Sequence, residues 1–331
     1  MRRIGQVSFL ALVLAMAGSH SEAQVQIDKH RAVPGPDPLV RIENAFGTIR
    51  VVVWDKNEVW VKGTLAASAE GLGFDAEPWD DEDEEENGKK TKVRRMAVDV
   101  RVSVPDSWSF ESDDDSDYRS TLEISVPRDA SLEIESTNAP ITVNGPSGSM
   151  SIESVNGTVQ VTGGAHEIEL KSLTGEVVYT GPATSVHVET VSGGVRLELQ
   201  NAEAHVRTVK GSVVLRGKTL SEVAIETTAG NVTLESAIAP AGEWGIETFS
   251  GNVALTFPGA ATGHFQFKTA EGQITSNVGP KPRRTERFQP FRVLEFRAGS
   301  VESSVEVETY SGGITLKAAA APATASTKGE L

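Results

Sequence analysis

From Ile134 onward the chain repeats one pattern: aliphatic, charged, Ser or Thr, two free positions, Gly, then aliphatics at alternate positions. Copies begin at Ile134, Ile152, Leu170, Val188, Val206, Ile225, Ile246, Phe267 and Val307. The first five starts lie 18 apart, the next steps are 19, 21 and 21, and the last is 40. A fixed short period marks one structural unit stacked on itself. In the copy Val186–Leu199, period-2 alternation puts Val186, Val188, Val195, Leu197 and Leu199 on one face, and His187, Glu189, Arg196 and Glu198 on the other. Gly193 is expected to supply a turn conformation that a side chain would resist. Each unit therefore holds two or three short strands and their turns.

A solenoid with one rung per unit and a meander with one hairpin per unit both fit this period. Stacking predicts compatible neighbours within each column, and the columns can be read off. One is hydroxylic: Ser136, Ser154, Ser172, Thr190, Thr208, Thr227, Thr248, Thr269 and Thr309. Its neighbour is charged with mixed signs: Glu135, Glu153, Lys171, Glu189, Arg207, Glu226, Glu247, Lys268 and Glu308. The mixture relieves like-charge repulsion between rungs, which favours the solenoid. The left-handed hexapeptide helix needs aliphatics six apart, whereas Val188 to Val195 is seven and Val195 to Leu197 is two, so that form is excluded.

Outside the repeats the pattern weakens. Residues 24–38 read as a flexible lead-in. Arg41–Val51 is a divergent first copy, and strands are expected over 57–65, 97–104 and 120–126. Residues 75–95 set an acidic block (Asp80–Glu86) beside a basic one (Lys89–Arg95), and 111–117 is acidic again; both read as solvated loops. Neither completes an EF-hand: Arg94 stands where the twelfth-position Glu belongs, and Tyr118 where the Gly belongs. The expected organisation is an N-terminal β region over 39–129 acting as a cap, a solenoid over 130–317 and a disordered tail over 318–331. The 40-residue gap from Gly272 to Gly312 is read as two rungs carrying a basic patch, Arg283, Arg284, Arg287, Arg292 and Arg297.

Composition adds location. Arg2 and Arg3, the apolar run Val7–Ala17 and Ser21-Glu22-Ala23 form a secretory signal with cleavage expected after Ala23. The apolar run is too short to span a bilayer comfortably, so no transmembrane segment is expected after its removal. The 331-residue chain has no Cys and a net charge of −15, which argues against nucleic-acid or anionic-membrane partners.

The units Glu189–Leu197, Glu247–Leu255 and Glu308–Leu316, behind a signal peptide, resemble the DUF4097 family of candidate adhesins. The resemblance covers roughly residues 130–317, with a weaker echo over 39–65. It implies an all-β, single-stranded right-handed β-helix with about 18–21 residues per rung. It also implies an extracytoplasmic location, at the cell surface or in the periplasm, and it brings no catalytic motif.

Candidate chemistry is sparse. His187 and His205 share one repeat position and are expected to stack one rung apart, but sequence places no third metal ligand, so two exposed strand residues are expected. His166 lies near Glu167 and Glu169, and His264 reads as isolated. The carboxylate column could suggest a glycan hydrolase, yet it recurs once per rung, as a solvated face does. The insertion at 280–300 breaks the repeat but holds Arg residues with Phe288, Phe291 and Phe296 rather than paired Asp. Phe249 and Tyr310 occupy equivalent positions where other copies carry Val155, Leu173, Val191 and Val209; corner packing on the next rung is expected over sugar stacking. The reading is a non-enzymatic interaction module with no cofactor, metal or catalytic residue, whose partner is a glycan or an envelope protein. A polysaccharide-active β-helix enzyme and a periplasmic envelope-stress or signalling partner are the rivals.

Overall fold

A computed structural model describes residues 24–319 apart from 82–84, 87–88, 91–92, 106–117, 165, 286–290 and 300–301. The signal segment, the acidic stretch 111–117, Arg287, Phe288 and nearly all of the C-terminal tail lie outside the described residues.

Strand Ser131–Asn138 pairs in parallel with Met150–Asn156, placing Ile134 opposite Ile152 and Ser136 opposite Ser154. The same register carries on through Leu170, Val188, Val206, Ile225 and Ile246. A second parallel sheet stacks Ile141, Val159, Val177, Val195, Val213, Val232 and Val253. From Ile134 to Ile246 each repeat therefore pairs with the next repeat and not within itself. The fold is an all-β parallel β-helix, each repeat one rung, with rungs about 4.8 Å apart. The longer repeats absorb their extra residues as register shifts at Ala202/Glu203 and Leu220/Glu222.

The stack does not begin at residue 130. Leu39–Glu43 pairs in parallel with Ser131–Asn138, Ile42 opposite Ile134, and Gly47–Trp54 supplies the second sheet, Ile49 opposite Ile141. One rung further out, Val93–Ser103 lies against Leu39–Glu43 and Ser120–Pro127 against Gly47–Trp54. Region 39–129 thus contributes two rungs as well as covering strands. Those coverings are antiparallel: Gly71–Asp81 on Val93–Ser103, Glu58–Leu65 on Ser120–Pro127, and Val25–Ala32 on Glu58–Leu65. Two expectations are corrected here. The lead-in 24–38 holds a strand, anchored by buried Ile27 and by Asp28, whose carboxylate accepts from Trp60 Nε1 at 2.7 Å. Residues 75–81 and 93–95 belong to a long β-hairpin rather than a loop. A terminal strand needs one apolar face only, and its backbone bonds come from the rung it covers, so charge on its outer face is no obstacle.

The C-terminal end also departs from chain order. Glu243–Thr248 pairs with Ser304–Thr309, which in turn pairs with Gly263–Thr269. Val307 therefore sits between Ile246 and Phe267, and the charged column runs Glu247, Glu308, Lys268. The 40-residue gap adds no rung of its own. Arg292–Ala298 covers Gly263–Thr269 in antiparallel fashion, pairs with Arg283–Arg284, and the chain then turns back into the stack.

Val, Ile and Leu fill the middle of the core. Aromatics close its C-terminal end: Trp244 stacks on Phe257 at 5.3 Å, Phe257 meets Phe265 edge-on, and Phe265 stacks on Phe296 at 4.9 Å. Tyr179 is the ring of the central core. Its hydroxyl donates to the Gly163 carbonyl at 2.8 Å and accepts from the Ala183 N–H at 3.2 Å. Burial pushes its pKa up to about 12.

The repeat glycine has a different cause from the one expected. Gly193 does not have a left-handed φ. Instead, a Cβ there would lie 1.9 Å from the Gly175 carbonyl oxygen, and Gly211 stands in the same relation to Gly193. Glycine recurs because the corners of successive rungs approach too closely for a side chain.

Candidate functional site: a groove along the stack

Each rung turns its corner with three consecutive residue types. In the rung of Val188, Glu189 faces out, Thr190 faces in, and Val191 faces out again. Stacking turns the outward positions into two parallel ridges. One is charged: Glu43, Glu135, Glu153, Lys171, Glu189, Arg207, Glu226, Glu247 and Glu308. The other is largely apolar, with Val155, Leu173, Val191, Val209, Phe249 and Tyr310 between 39% and 59% exposed. Between them runs an open groove of about 1100 Å³ extending from Ala45 to Tyr310. It crosses nine rungs, roughly 40 Å at the spacing of a sheet.

The Ser/Thr column lies beneath this groove, buried, as a hydroxyl ladder inside the corner. Thr269 and Thr309 accept from the N–H groups of Gly272 and Gly312, both at 3.0 Å. The hydroxyls of Ser136, Ser154, Ser172, Thr190, Thr208, Thr227 and Thr248 have no hydrogen-bond partner among the described residues.

The charged ridge is partly self-compensated. Lys171 bridges Glu153 at 3.1 Å and Glu169 at 2.8 Å, Arg207 meets Glu226 at 3.4 Å, and Lys268 meets Glu308 at 2.8 Å. The hydrogen bond from Lys171 holds the Glu169 carboxyl below its ordinary pKa, and the two carboxylates raise that of Lys171. Glu135 and Glu247 make no ion pair among the described residues. Among the described residues, no carboxylate pair stands apart from the repeat on this face.

Phe249 and Tyr310 do pack on each other, ring centroids 5.1 Å apart and 1° from coplanar, yet both remain exposed. The corner-packing expectation was therefore incomplete: the two rings stack and still present an aromatic surface. Phe291 joins the groove lining at its C-terminal end, under Lys268 Nζ at 4.6 Å. Phe296 instead enters the core cluster.

The histidines fall as follows. His187 and His205 are register partners with ring centroids 6.3 Å apart. Each also faces a carboxylate, Glu189 at 3.1 Å and Glu222 at 3.5 Å. Glu203, His205 and Glu222 hold ligand atoms within 4.8 Å of one another, on an exposed surface. Sequence spacing missed Glu203 and Glu222 because the shift at Ala202/Glu203 sets them opposite each other; the 19-residue step was its one visible trace. His264 is not isolated, since its Nε2 lies 3.3 Å from Glu295 on the covering strand. His166 lines a separate, smaller depression with Glu167 and Asp129.

The profile of the Toastrack DUF4097 family matches residues 78–317, more than half of the chain. The chain belongs to the DUF4097 family. No curated protein matches this DUF4097 chain. Among solved structures, it is similar to a candidate cell adhesion protein from Clostridium sporogenes, with 11% identity, a TM-score of 0.23, 89% of this chain covered and 100% of the other. It is also similar to a candidate adhesin from Bacteroides fragilis, with 12% identity, a TM-score of 0.29, 89% of this chain covered and 98% of the other. Among the described residues, no helix is long and apolar enough to cross a membrane.

Proposed function

We propose that this DUF4097 protein is an extracytoplasmic, non-enzymatic interaction module that holds an elongated partner along its groove, in the manner of an adhesin. The observation that carries this reading is the groove itself: it crosses nine rungs, and six of them place an exposed Val, Leu, Phe or Tyr beside the charged ridge. Stacked repeats build extended surfaces, and an extended surface suits a linear ligand, whether a glycan or a segment of envelope protein. Exposed apolar side chains in a continuous row are costly to leave in water unless something covers them. The N-terminal Arg2, Arg3 and Val7–Ala17 support export.

The test compares three forms of the chain on glycan and peptide arrays. One is wild type. The second carries Leu173→Lys and Val191→Lys, which charges the apolar ridge without touching the core. The third carries Gln160→Lys on the exposed outer surface of the other sheet. Retention by wild type and Gln160→Lys, lost in the ridge variant, is expected. Retention unchanged in the ridge variant, or none by wild type on either array, sinks the reading. In cells, tagged protein should resist proteolysis only if the envelope shields it; a cytoplasmic pool after osmotic shock would overturn the exported location.

A further inference from the structure

The apolar ridge has one interruption on its aromatic side. Phe249 and Tyr310 stack along the axis of the solenoid, so the unshared face of Phe249 looks toward the preceding rung. The residue there is Thr228, exposed and small, and beyond it the ridge resumes at Val209. Two rung spacings, about 9.6 Å, separate the ridge positions of Phe249 and Val209. One flat group fits between them, about 4.8 Å from each. Across the groove this slot faces Glu226 and Glu247. Glu226 is held by Arg207, whereas Glu247 has no ionic partner among the described residues.

The slot therefore combines an open aromatic face, an unpaired carboxylate and a hydroxyl. A guanidinium is flat, always charged, stacks on rings and pairs with carboxylates, so it uses all three. We propose that the slot over Thr228 receives an arginine side chain from a basic, extended peptide lying in the groove, with the peptide's apolar side chains against Val155–Val209. The charge of the wall agrees: Glu43, Glu135, Glu153, Glu189, Glu226, Glu247 and Glu308 outnumber Lys171 and Arg207. A neutral glycan would leave Glu247 unanswered, and an acidic one would be repelled. This inference rests on the groove reading above and adds the chemistry of the occupant.

The experiment is fluorescence anisotropy with labelled short peptides that alternate Leu with Arg or Leu with Lys, titrated with the full chain. The arginine peptide should bind several-fold, up to about tenfold, more tightly than the lysine peptide, because only the planar guanidinium can lie flat on the ring and pair bidentately with Glu247. Thr228→Phe fills the slot with a third ring at an exposed site. It should weaken the arginine peptide about tenfold and abolish the preference over lysine, with the thermal melt unchanged. Glu247→Gln should weaken it comparably while keeping the slot open. Equal binding of the two peptides, indifference to Thr228→Phe, or binding of neither peptide overturns the assignment. If an array ligand is still lost in the Leu173→Lys, Val191→Lys variant while neither peptide binds, the arginine slot falls and the groove stands.

Discussion

At the scale of single residues, three positions in the stack differ sharply in what a substitution would meet. Gly193 approaches the Gly175 carbonyl so closely that even a methyl group overlaps it. Gly193→Ala should cost at least about 3 kcal/mol, a severe overpacking penalty. Gly245 meets nothing within 4 Å of an added Cβ and has no left-handed φ. Gly245→Ala should therefore be neutral or stabilising by roughly 0.5 kcal/mol, since glycine in a strand carries an entropic cost. The Thr190 hydroxyl has no hydrogen-bond partner among the described residues, so Thr190→Val should change stability by less than about 1 kcal/mol. Urea denaturation of the three variants checks this order, and a Gly193→Ala protein as stable as wild type would refute the close-approach account. The repeat pattern exposed Gly193 and Thr190, but the distance between corners is a property of the stack.

At the scale of elements, the informative feature is the insertion of the last rung inside the one before it. Ser304–Thr309 is bonded on one side to Glu243–Thr248 and on the other to Gly263–Thr269. In a solenoid wound strictly in chain order, removing the final repeat trims the end and leaves the rest paired. Here, truncation after Gly299 removes an interior rung. It leaves two unpaired edges and exposes Phe265 and Phe267. The truncated chain should form soluble aggregates on size-exclusion chromatography, and a clean monomer with most of the wild-type melting temperature would contradict the pairing. The sequence concealed this because the units at 246, 267 and 307 carry the same pattern, and like units are interchangeable by pattern alone. The stretch 280–300 weakened the repeat visibly, but its role as a covering strand depends on which edge it reaches. The same holds for Val25–Ala32, whose eight residues gain their strand partner 26 to 40 positions downstream.

At the scale of the whole molecule, stability passes from rung to rung, so a failure in the middle divides the stack. Tyr179 is an ionisable group in that central core. Its folded pKa of about 12 lies above the ordinary value near 10. A raised value means that the neutral hydroxyl is favoured by folding. The contribution is complete below about pH 10 and is lost as pH rises through 12, with an upper limit of roughly 3 kcal/mol. Thermal melts at pH 8 and pH 11.5 should show a larger alkaline loss for wild type than for Tyr179→Phe. The variant should start about 1 kcal/mol lower at pH 8, because the Gly163 carbonyl loses its donor. Equal alkaline losses in the two proteins would place the sensitivity elsewhere.

The sequence by itself determined the all-β class, the rung as the unit, the stacking of Ile134 through Ile246 in order, and the makeup of the columns that became the two ridges. These follow from local alternation and period, which each rung satisfies with its immediate neighbours. Tertiary structure decided which unit lies beside which at the two ends, why glycine recurs, and that two columns two residues apart enclose a groove. It also set Thr228 beside the open face of Phe249 and left Glu247 without an ionic partner among the described residues. Such facts depend on contacts between residues 18 to 92 positions apart, and on closeness of backbone that no single repeat encodes.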